Sequence, residues 1–131
     1  ALLDMKWHTL KVGETVPDAD AFEKRALDSL ALRTNLVPPR YFSTYFRHIW
    51  DNGYAAGYYS YLWTEMIAHD AFAYLMKDGG GLTRAAGDNF RAKILSRGNT
   101  VDYAQLYRTY AGRDPQIDAM VQARGLEPAG R

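Results

Sequence analysis

The chain has 131 residues, of which 47% are hydrophobic and 24% charged, so it can bury a core and is not a disordered polar chain. Basic and acidic side chains are interspersed and leave a net charge of +1, which predicts no nucleic-acid partner. The absence of cysteine excludes disulfides and thiolate metal sites, and no run is long and apolar enough to predict a membrane partner.

The first part of the chain predicts one helix between two irregular segments. Residues 1–16 open in an apolar, helix-like run without a capping residue, and we interpret them as the tail of an upstream helix and a connector. The acidic residues of 17–20 predict a helix start, and Pro38 and Pro39 predict its end. The apolar face of this helix is formed by Phe22, Ala26, Leu27 and Leu30.

The second part predicts further helices with short connections. Aromatic residues recur at helical spacing over 40–50, a turn follows at 51–53, and 54–77 is the longest helical pattern. Predicted caps for the later helices are Thr83, then Asn99 or Thr100, then Asp114-Pro115. We therefore expect an all-α array of about six helices over 17–126, followed by a loose tail at 127–131.

The most informative segment is 54–61, where four tyrosines fall within eight residues. If the helix begins at Tyr54, the spacings of four and three place Tyr54, Tyr58 and Tyr61 on one face. A neutral phenol in a preorganised site can stabilise a developing oxyanion by about 2.7–4 kcal/mol. The alternative is that the same spacing describes buried aromatic core residues.

Histidine and arginine supply the other candidate groups. His48 could be a general acid, a hydrogen-bond donor to substrate, a metal ligand, or simply a neighbour of aromatic rings. No two histidines have metal-ligand spacing and no His-Glu-x-x-His occurs, so this segment predicts no metal ligands. We rank Arg97 above Arg91 and Arg113 for binding a substrate carboxylate, the alternative being pairing with carbonyls or surface acids.

Several motifs together resemble a known family. From Tyr45 through Leu126 the chain is similar to the C-terminal end of the thimet oligopeptidase family of zinc peptidases. The matching motifs are Gly53-Tyr54-x-x-x-Tyr58-Tyr59-x-Tyr61-Leu62-Trp63, Phe90-Arg91, Ile94-Leu95-Ser96-Arg97-Gly98-Asn99, Gly112-Arg113-Asp114-Pro115 and Arg124-Gly125-Leu126. The segments 2–5, 37–41 and 96–99 are more similar to the bacterial peptidyl-dipeptidase branch. One departure is Asp51-Asn52, where relatives commonly have glycine.

The resemblance implies the C-terminal helical part of a larger, two-lobed helical peptidase of the zincin type. In that family the zinc is held by His-Glu-x-x-His and a later glutamate, which would lie upstream of this segment. The resemblance also implies that Tyr58 and Tyr61 stabilise the oxyanion while His48 and Tyr54 contact the peptide backbone. Gly53 would act as a hinge of the substrate-binding loop.

The expected function is therefore that of a zinc-dependent peptidyl-dipeptidase, which releases C-terminal dipeptides from short peptides in the cytoplasm. Its expected partners are the peptide substrate and the upstream part of the same peptidase. We expect the isolated chain to be inactive and, through exposed apolar surface, either to self-associate or to be partly disordered. The alternative function is a non-catalytic helical module that binds peptides in a tyrosine-lined groove. A third interpretation is a helical domain whose tyrosines serve only as core.

Overall fold

The structure is a computed structural model that describes residues 1–32, 35–51 and 53–126. Over these residues it contains seven α-helices and one short 3-10 helix, and the predicted all-α class is confirmed. No helix in these three ranges is long and apolar enough to cross a membrane. The chain divides into two compact units, Ala1–Tyr61 and Leu62–Arg131. The predicted loose tail at 127–131 lies outside the described residues.

The first unit is built on helices α1 (Leu2–His8) and α2 (Ala19–Asp28). Its buried core consists of Leu3, Ala26 and Leu27, with Trp7 and Phe22 packed against it. The helix start predicted from acidic residues is confirmed at Asp18, whose Oδ1 accepts the backbone N–H of Ala21 at 2.9 Å. Helix α3 is a single turn, Arg47–Trp50, so only the end of the helical pattern over 40–50 forms a helix.

Helix α2 ends at Asp28, well before Pro38 and Pro39, which predicted its end. Ala31 adopts a left-handed conformation with φ 55°, and the Leu32 N–H donates to the Leu27 carbonyl at 3.2 Å. This pattern closes the helix end as a glycine C-cap would, although the residue is alanine. Leu30, predicted on the apolar helical face, therefore lies in the turn that follows the helix.

Helix α4 spans Ser60–Lys77, and its predicted start at Tyr54 is wrong by six residues. Residues 55–59 form turns instead, with Ala56 at a left-handed φ of 53°. The physical reason is that a buried carboxylate, Asp4 of α1, binds the backbone N–H groups of Ala56 and Tyr58. An acceptor supplied from a distant part of the chain thus replaces the first helical turn, which periodicity alone could not reveal.

The second unit contains α5 (Arg84–Lys93), a 3-10 turn (Leu95–Arg97), α6 (Tyr103–Ala111) and α7 (Asp118–Ala123). Thr83 caps α5 as predicted, with its hydroxyl accepting the Ala86 N–H at 3.3 Å. The cap of α6 is Asp102, whose carboxylate accepts the Gln105 N–H at 3.1 Å, and the predicted caps two and three residues earlier are wrong.

Helix α7 begins at Asp118, later than the predicted start at Asp114. The Asp114 carboxylate is engaged by Arg108, with Nε to Oδ1 at 2.7 Å, and so does not cap a helix. At the other end of the helix, Arg124 binds Glu65 of α4 through two nitrogens. This pair ties α7 to α4 within the second unit.

The core of the second unit includes Tyr110, which is 2% exposed and packs edge-on against Tyr74 and Phe90. Beside it, the buried Asp70 of α4 is bound by the Tyr107 hydroxyl and by both terminal nitrogens of Arg113. Arg113 therefore pairs with a buried acid of its own chain rather than with a surface acid, and it also donates to the Asp114 carbonyl at 3.0 Å.

Candidate functional site

Four of the predicted site residues lie together in the first unit. The ring centroids of Tyr54 and Tyr61 are 5.3 Å apart in a stacked arrangement, and those of Tyr58 and Tyr61 are 5.1 Å apart. The His48 ring lies 5.7 Å from Tyr58 and 6.1 Å from Tyr54. We call these four residues, His48, Tyr54, Tyr58 and Tyr61, the tyrosine cluster.

The tyrosine cluster packs against two further aromatic side chains, the buried Phe46 and the half-buried Tyr41. Phe46, 5% exposed, packs its ring edge-to-face against Tyr58 at 4.7 Å. Tyr41 stacks on Phe46 at 5.3 Å and contacts His48 at 5.5 Å. Because such aromatic pairs prefer defined mutual orientations, Phe46 and Tyr41 restrict the rotation of the Tyr58 and His48 rings. Tyr41 was not predicted as a site residue, and the signal that the sequence offered for it is its place in the segment 37–41, which resembles the peptidyl-dipeptidase branch.

The backbone of residues 53–59 turns tightly before α4 begins. The Tyr54 N–H donates to the His48 carbonyl at 3.2 Å, which brings these two members of the cluster together. Gly53 has φ 76°, a left-handed conformation that glycine adopts without the penalty of a Cβ atom. The Gly57 N–H then donates to the Tyr54 carbonyl at 2.9 Å. Gly53 is thus a turn residue of the candidate site, while its predicted hinge motion stays a prediction.

The Asp4 side chain binds the backbone of this segment at Ala56 and Tyr58. Its carboxylate is fully buried and accepts the Ala56 N–H at 2.9 Å and the Tyr58 N–H at 3.0 Å, one on each oxygen. His8 Nδ1 lies 2.9 Å from Asp4 Oδ1. The sequence did contain a signal for this residue. An aspartate within an otherwise apolar helical run, with histidine four residues later, indicates a buried acid that needs partners.

The side chains of the tyrosine cluster are partly accessible to solvent, which argues against the interpretation that they serve only as core. Tyr61 is 49% exposed, and His48, Tyr54 and Tyr58 are half-buried. A side-chain hydrogen bond with Tyr54 raises the pKa of Tyr61 above its ordinary value, and desolvation and the neighbouring phenols raise it further. The Tyr61 hydroxyl therefore stays protonated at neutral pH and can act as a hydrogen-bond donor. A surface of accessible, neutral phenols is suited to binding carbonyl oxygens.

The remaining candidates lie apart from this arrangement or in the other unit. Arg97 ends the 3-10 turn of the second unit and is exposed, as is Arg91 of α5. Asp51, the acidic departure from the family pattern, pairs with Arg47 at 3.0 Å on the surface. Its charge is thus partly balanced within the same turn. The role of Arg97 in binding a substrate carboxylate stays a prediction.

The three histidines are in three different environments. His8 faces Asp4, His48 belongs to the tyrosine cluster, and His69 lies 3.8 Å from Glu65 on α4. Within residues 1–32, 35–51 and 53–126, no group of three or more His, Cys, Asp or Glu side chains is arranged to hold a metal ion.

Comparisons with known proteins identify the family. Dipeptidyl carboxypeptidase of Escherichia coli strain K12 is 52% identical to this chain over 96% of the chain. Its counterpart from Salmonella typhimurium strain LT2 is 49% identical over 97% of the chain, and E. coli oligopeptidase A is 36% identical over 96%. The chain spans 18% of the length of each of these relatives. The model for peptidase family M3 matches residues 1–126, and the chain therefore belongs to that family.

Proposed function

We propose that this chain is the C-terminal helical part of a zinc-dependent peptidyl-dipeptidase that releases dipeptides from the C-termini of short peptides. The single observation that carries the proposal is the accessible tyrosine cluster, built from the residues for which the family resemblance implies substrate contact. The identity to two dipeptidyl carboxypeptidases supports the choice of this activity within the family. The zinc ligands are proposed to belong to the part of the peptidase outside this chain.

In this proposal the cluster acts on the carbonyl group that is being attacked. The Tyr58 and Tyr61 hydroxyls donate hydrogen bonds to the carbonyl oxygen as negative charge develops on it. The stacked contact of Tyr61 with Tyr54 and the edge-on contact of Tyr58 with Phe46 orient the two phenols before substrate arrives. His48 and Tyr54 bind backbone groups of the peptide on either side. Because the donors are already held in place, little reorganisation is needed during the reaction.

The proposal is tested by hydrolysis of an N-blocked tripeptide in the presence of zinc. The chain is assayed alone and mixed with the separately expressed upstream portion of the peptidase. We expect activity only in the mixture, and removal of one hydroxyl in Tyr58→Phe or Tyr61→Phe should lower kcat about 10²–10³-fold. KM should change much less, since the lost hydrogen bonds strengthen in the transition state.

The matched control is Tyr59→Phe, which removes a hydroxyl from the same segment. Tyr59 is 53% exposed and lies outside the ring contacts that define the tyrosine cluster. The control should retain the kcat of the unsubstituted protein. Hydrolysis by the chain alone would contradict the proposed position of the zinc ligands. Saturable binding of the tripeptide without hydrolysis in the mixture would instead favour the non-catalytic peptide-binding module.

A further inference from the structure

Asp4 is the most completely buried carboxylate of the first unit, and it belongs to none of the groups assigned to substrate. Its side chain has 0% exposure, and its oxygens are occupied by the Ala56 N–H, the Tyr58 N–H and His8 Nδ1. The His8 nitrogen also lies 2.9 Å from the Asp4 main-chain carbonyl oxygen. Because both neighbours of this nitrogen accept hydrogen bonds, we assign the ring proton to Nδ1.

The turn that Asp4 binds is strained. Ala56 has φ 53°, a left-handed conformation in which the Cβ atom of an L-residue lies too close to the following carbonyl oxygen. Such a conformation persists only where the surroundings determine it, and it often occurs beside functional groups. Here the N–H of the strained residue itself donates to the Asp4 carboxylate at 2.9 Å. The charge-assisted hydrogen bond thus stabilises a backbone conformation that the local sequence does not favour.

The strained turn connects directly to the phenols. The second oxygen of Asp4 binds the backbone N–H of Tyr58, whose ring contacts both Tyr61 and His48. A shift of the Tyr58 backbone would therefore move one proposed donor and alter its packing against the other. A displacement of about 1 Å in such a group can lower turnover by about 10²-fold.

We infer that Asp4 is a positioning residue, whose carboxylate holds the 55–59 turn so that Tyr58 and Tyr61 point together at the substrate oxygen. The inference rests on the proposed function, which it extends from the surface of the site to the helix beneath it. Asp4 touches no substrate in this scheme and acts only through the backbone of Ala56 and Tyr58. Helix α1 is thereby the rigid support of the tyrosine cluster.

The substitution Asp4→Asn tests this inference with almost no change in volume. Asparagine retains one oxygen acceptor, but its NH₂ group faces the second backbone N–H and cannot accept from it. In the complete peptidase, kcat for the N-blocked tripeptide should fall about 10–100-fold, while KM changes less than about threefold. The ¹⁹F resonance of 3-fluorotyrosine at position 58, assigned by its loss in Tyr58→Phe, should shift or broaden in the same variant.

The matched control is Asp70→Asn, the same chemical change at a carboxylate that is 3% exposed in the second unit. It should lower stability while leaving kcat and the fluorotyrosine resonance of position 58 unchanged. A milder variant, His8→Gln, removes the imidazole that contacts Asp4 Oδ1, the oxygen that also accepts the Ala56 N–H, so the carboxylate is held less firmly toward the two backbone N–H groups. If Asp4→Asn does not fold, His8→Gln provides the test, and we expect a smaller fall in kcat with KM unchanged.

Two results separate this inference from the proposed function. If Asp4→Asn keeps both the kcat and the position-58 resonance of the unsubstituted protein, the positioning role is wrong. Wild-type values in His8→Gln, where Asp4→Asn does not fold, would overturn it as well. If the unsubstituted peptidase does not cleave the tripeptide, the proposed function fails. The resonance still decides whether Asp4 holds the turn, because that measurement needs no activity.

Discussion

Three carboxylates are buried in the described part of the chain, and a different set of donors satisfies each of them. Asp4 binds two backbone N–H groups of a turn, and Glu23 accepts both the N–H and the hydroxyl of Ser43 at 2.6 and 2.7 Å. Asp70 is paired with a cation, Arg113, at 2.6 and 3.0 Å. Since an unpaired buried charge is strongly unfavourable, each carboxylate fixes the segment that supplies its donors.

Asp70 carries a prediction for acid stability. Burial raises its pKa, but hydrogen bonds from Arg113, Tyr107 and the Gln116 backbone outweigh burial, and the net pKa is lowered from 3.8. A depressed folded-state pKa contributes stability above the unfolded-state pKa, and this contribution is lost as pH falls through the folded-state value. We expect Asp70→Asn to reduce the free energy of unfolding at neutral pH by about 1.5–3 kcal/mol, comparable to one hydrogen bond to a charged group.

The measurement for Asp70 is urea unfolding of both proteins across a pH series. The difference between wild type and Asp70→Asn should be constant near neutrality and shrink below pH values near the ordinary carboxyl pKa. An exposed acid of the same unit, Asp88, which pairs with Arg84 on the surface, supplies the control. Asp88→Asn should change the free energy of unfolding by less than about 1 kcal/mol at any pH. A difference for Asp70→Asn that grows on acidification would contradict the assignment.

At the scale of secondary-structure elements, side-chain caps decide where several helices begin. Asp18, Thr83 and Asp102 each accept a backbone N–H from the first turn of their helix. Where two acceptors stand close together in sequence, composition does not distinguish them. Asn99 and Thr100 precede α6 as plausible caps, yet the Thr100 hydroxyl donates to the Arg97 carbonyl at 2.7 Å. The choice of Asp102 depends on how the preceding 3-10 turn closes.

This difference predicts a larger loss of stability for alanine at Asp102 than for alanine at Asn99. Asp102→Ala removes the acceptor for the Gln105 N–H and should destabilise the protein by about 1 kcal/mol, within the range of 0.5–2 kcal/mol for N-caps. Asn99→Ala, at the cap position predicted from sequence, should change stability by less than about 0.5 kcal/mol. Thermal unfolding followed by circular dichroism distinguishes the two. A larger effect at Asn99 would restore the sequence-based cap assignment.

At the scale of the whole molecule, large apolar side chains remain accessible along α4. Leu62, Trp63, Phe72 and Met76 are each between 44% and 57% exposed. Helical spacing places Trp63 and Phe72 on opposite sides of α4, so the exposure is not confined to one face. Several exposed large apolar side chains on one helix favour contact with further protein surface. In the proposed function, the part of the peptidase outside this chain would supply that surface.

We expect the isolated chain to self-associate through these exposed side chains. Its sedimentation coefficient should rise with protein concentration, because contact between copies removes apolar surface from water. The double substitution Trp63→Lys and Phe72→Lys should abolish that rise. The matched control is lysine at two exposed polar positions of the second unit, Gln105 and Gln122. A coefficient independent of concentration in the unsubstituted chain would contradict the prediction.

The sequence by itself determined the helical class, the family and the composition of the tyrosine cluster. Helical periodicity and strand-free composition are local properties, and spacings of four and three bring tyrosines together in either a helix or a compact turn. His48 could be assigned to the same site only through the family resemblance. The position of His48 beside Tyr54 depends on the hydrogen bond that the Tyr54 N–H donates to the His48 carbonyl at 3.2 Å.

Only the tertiary structure decided where α4 begins and what holds the phenols. The start of a helix depends on which acceptors satisfy its first backbone N–H groups, and these acceptors can come from residues remote in sequence. Asp4 lies 52 residues from Ala56 and 54 from Tyr58, a separation that no local pattern spans. The pairing of Arg113 with Asp70, 43 residues apart, likewise depends on packing within the second unit. Local sequence thus specified which tyrosines form the candidate site, whereas the long-range hydrogen bonds of the buried Asp4 carboxylate determine the backbone turn on which Tyr58 lies.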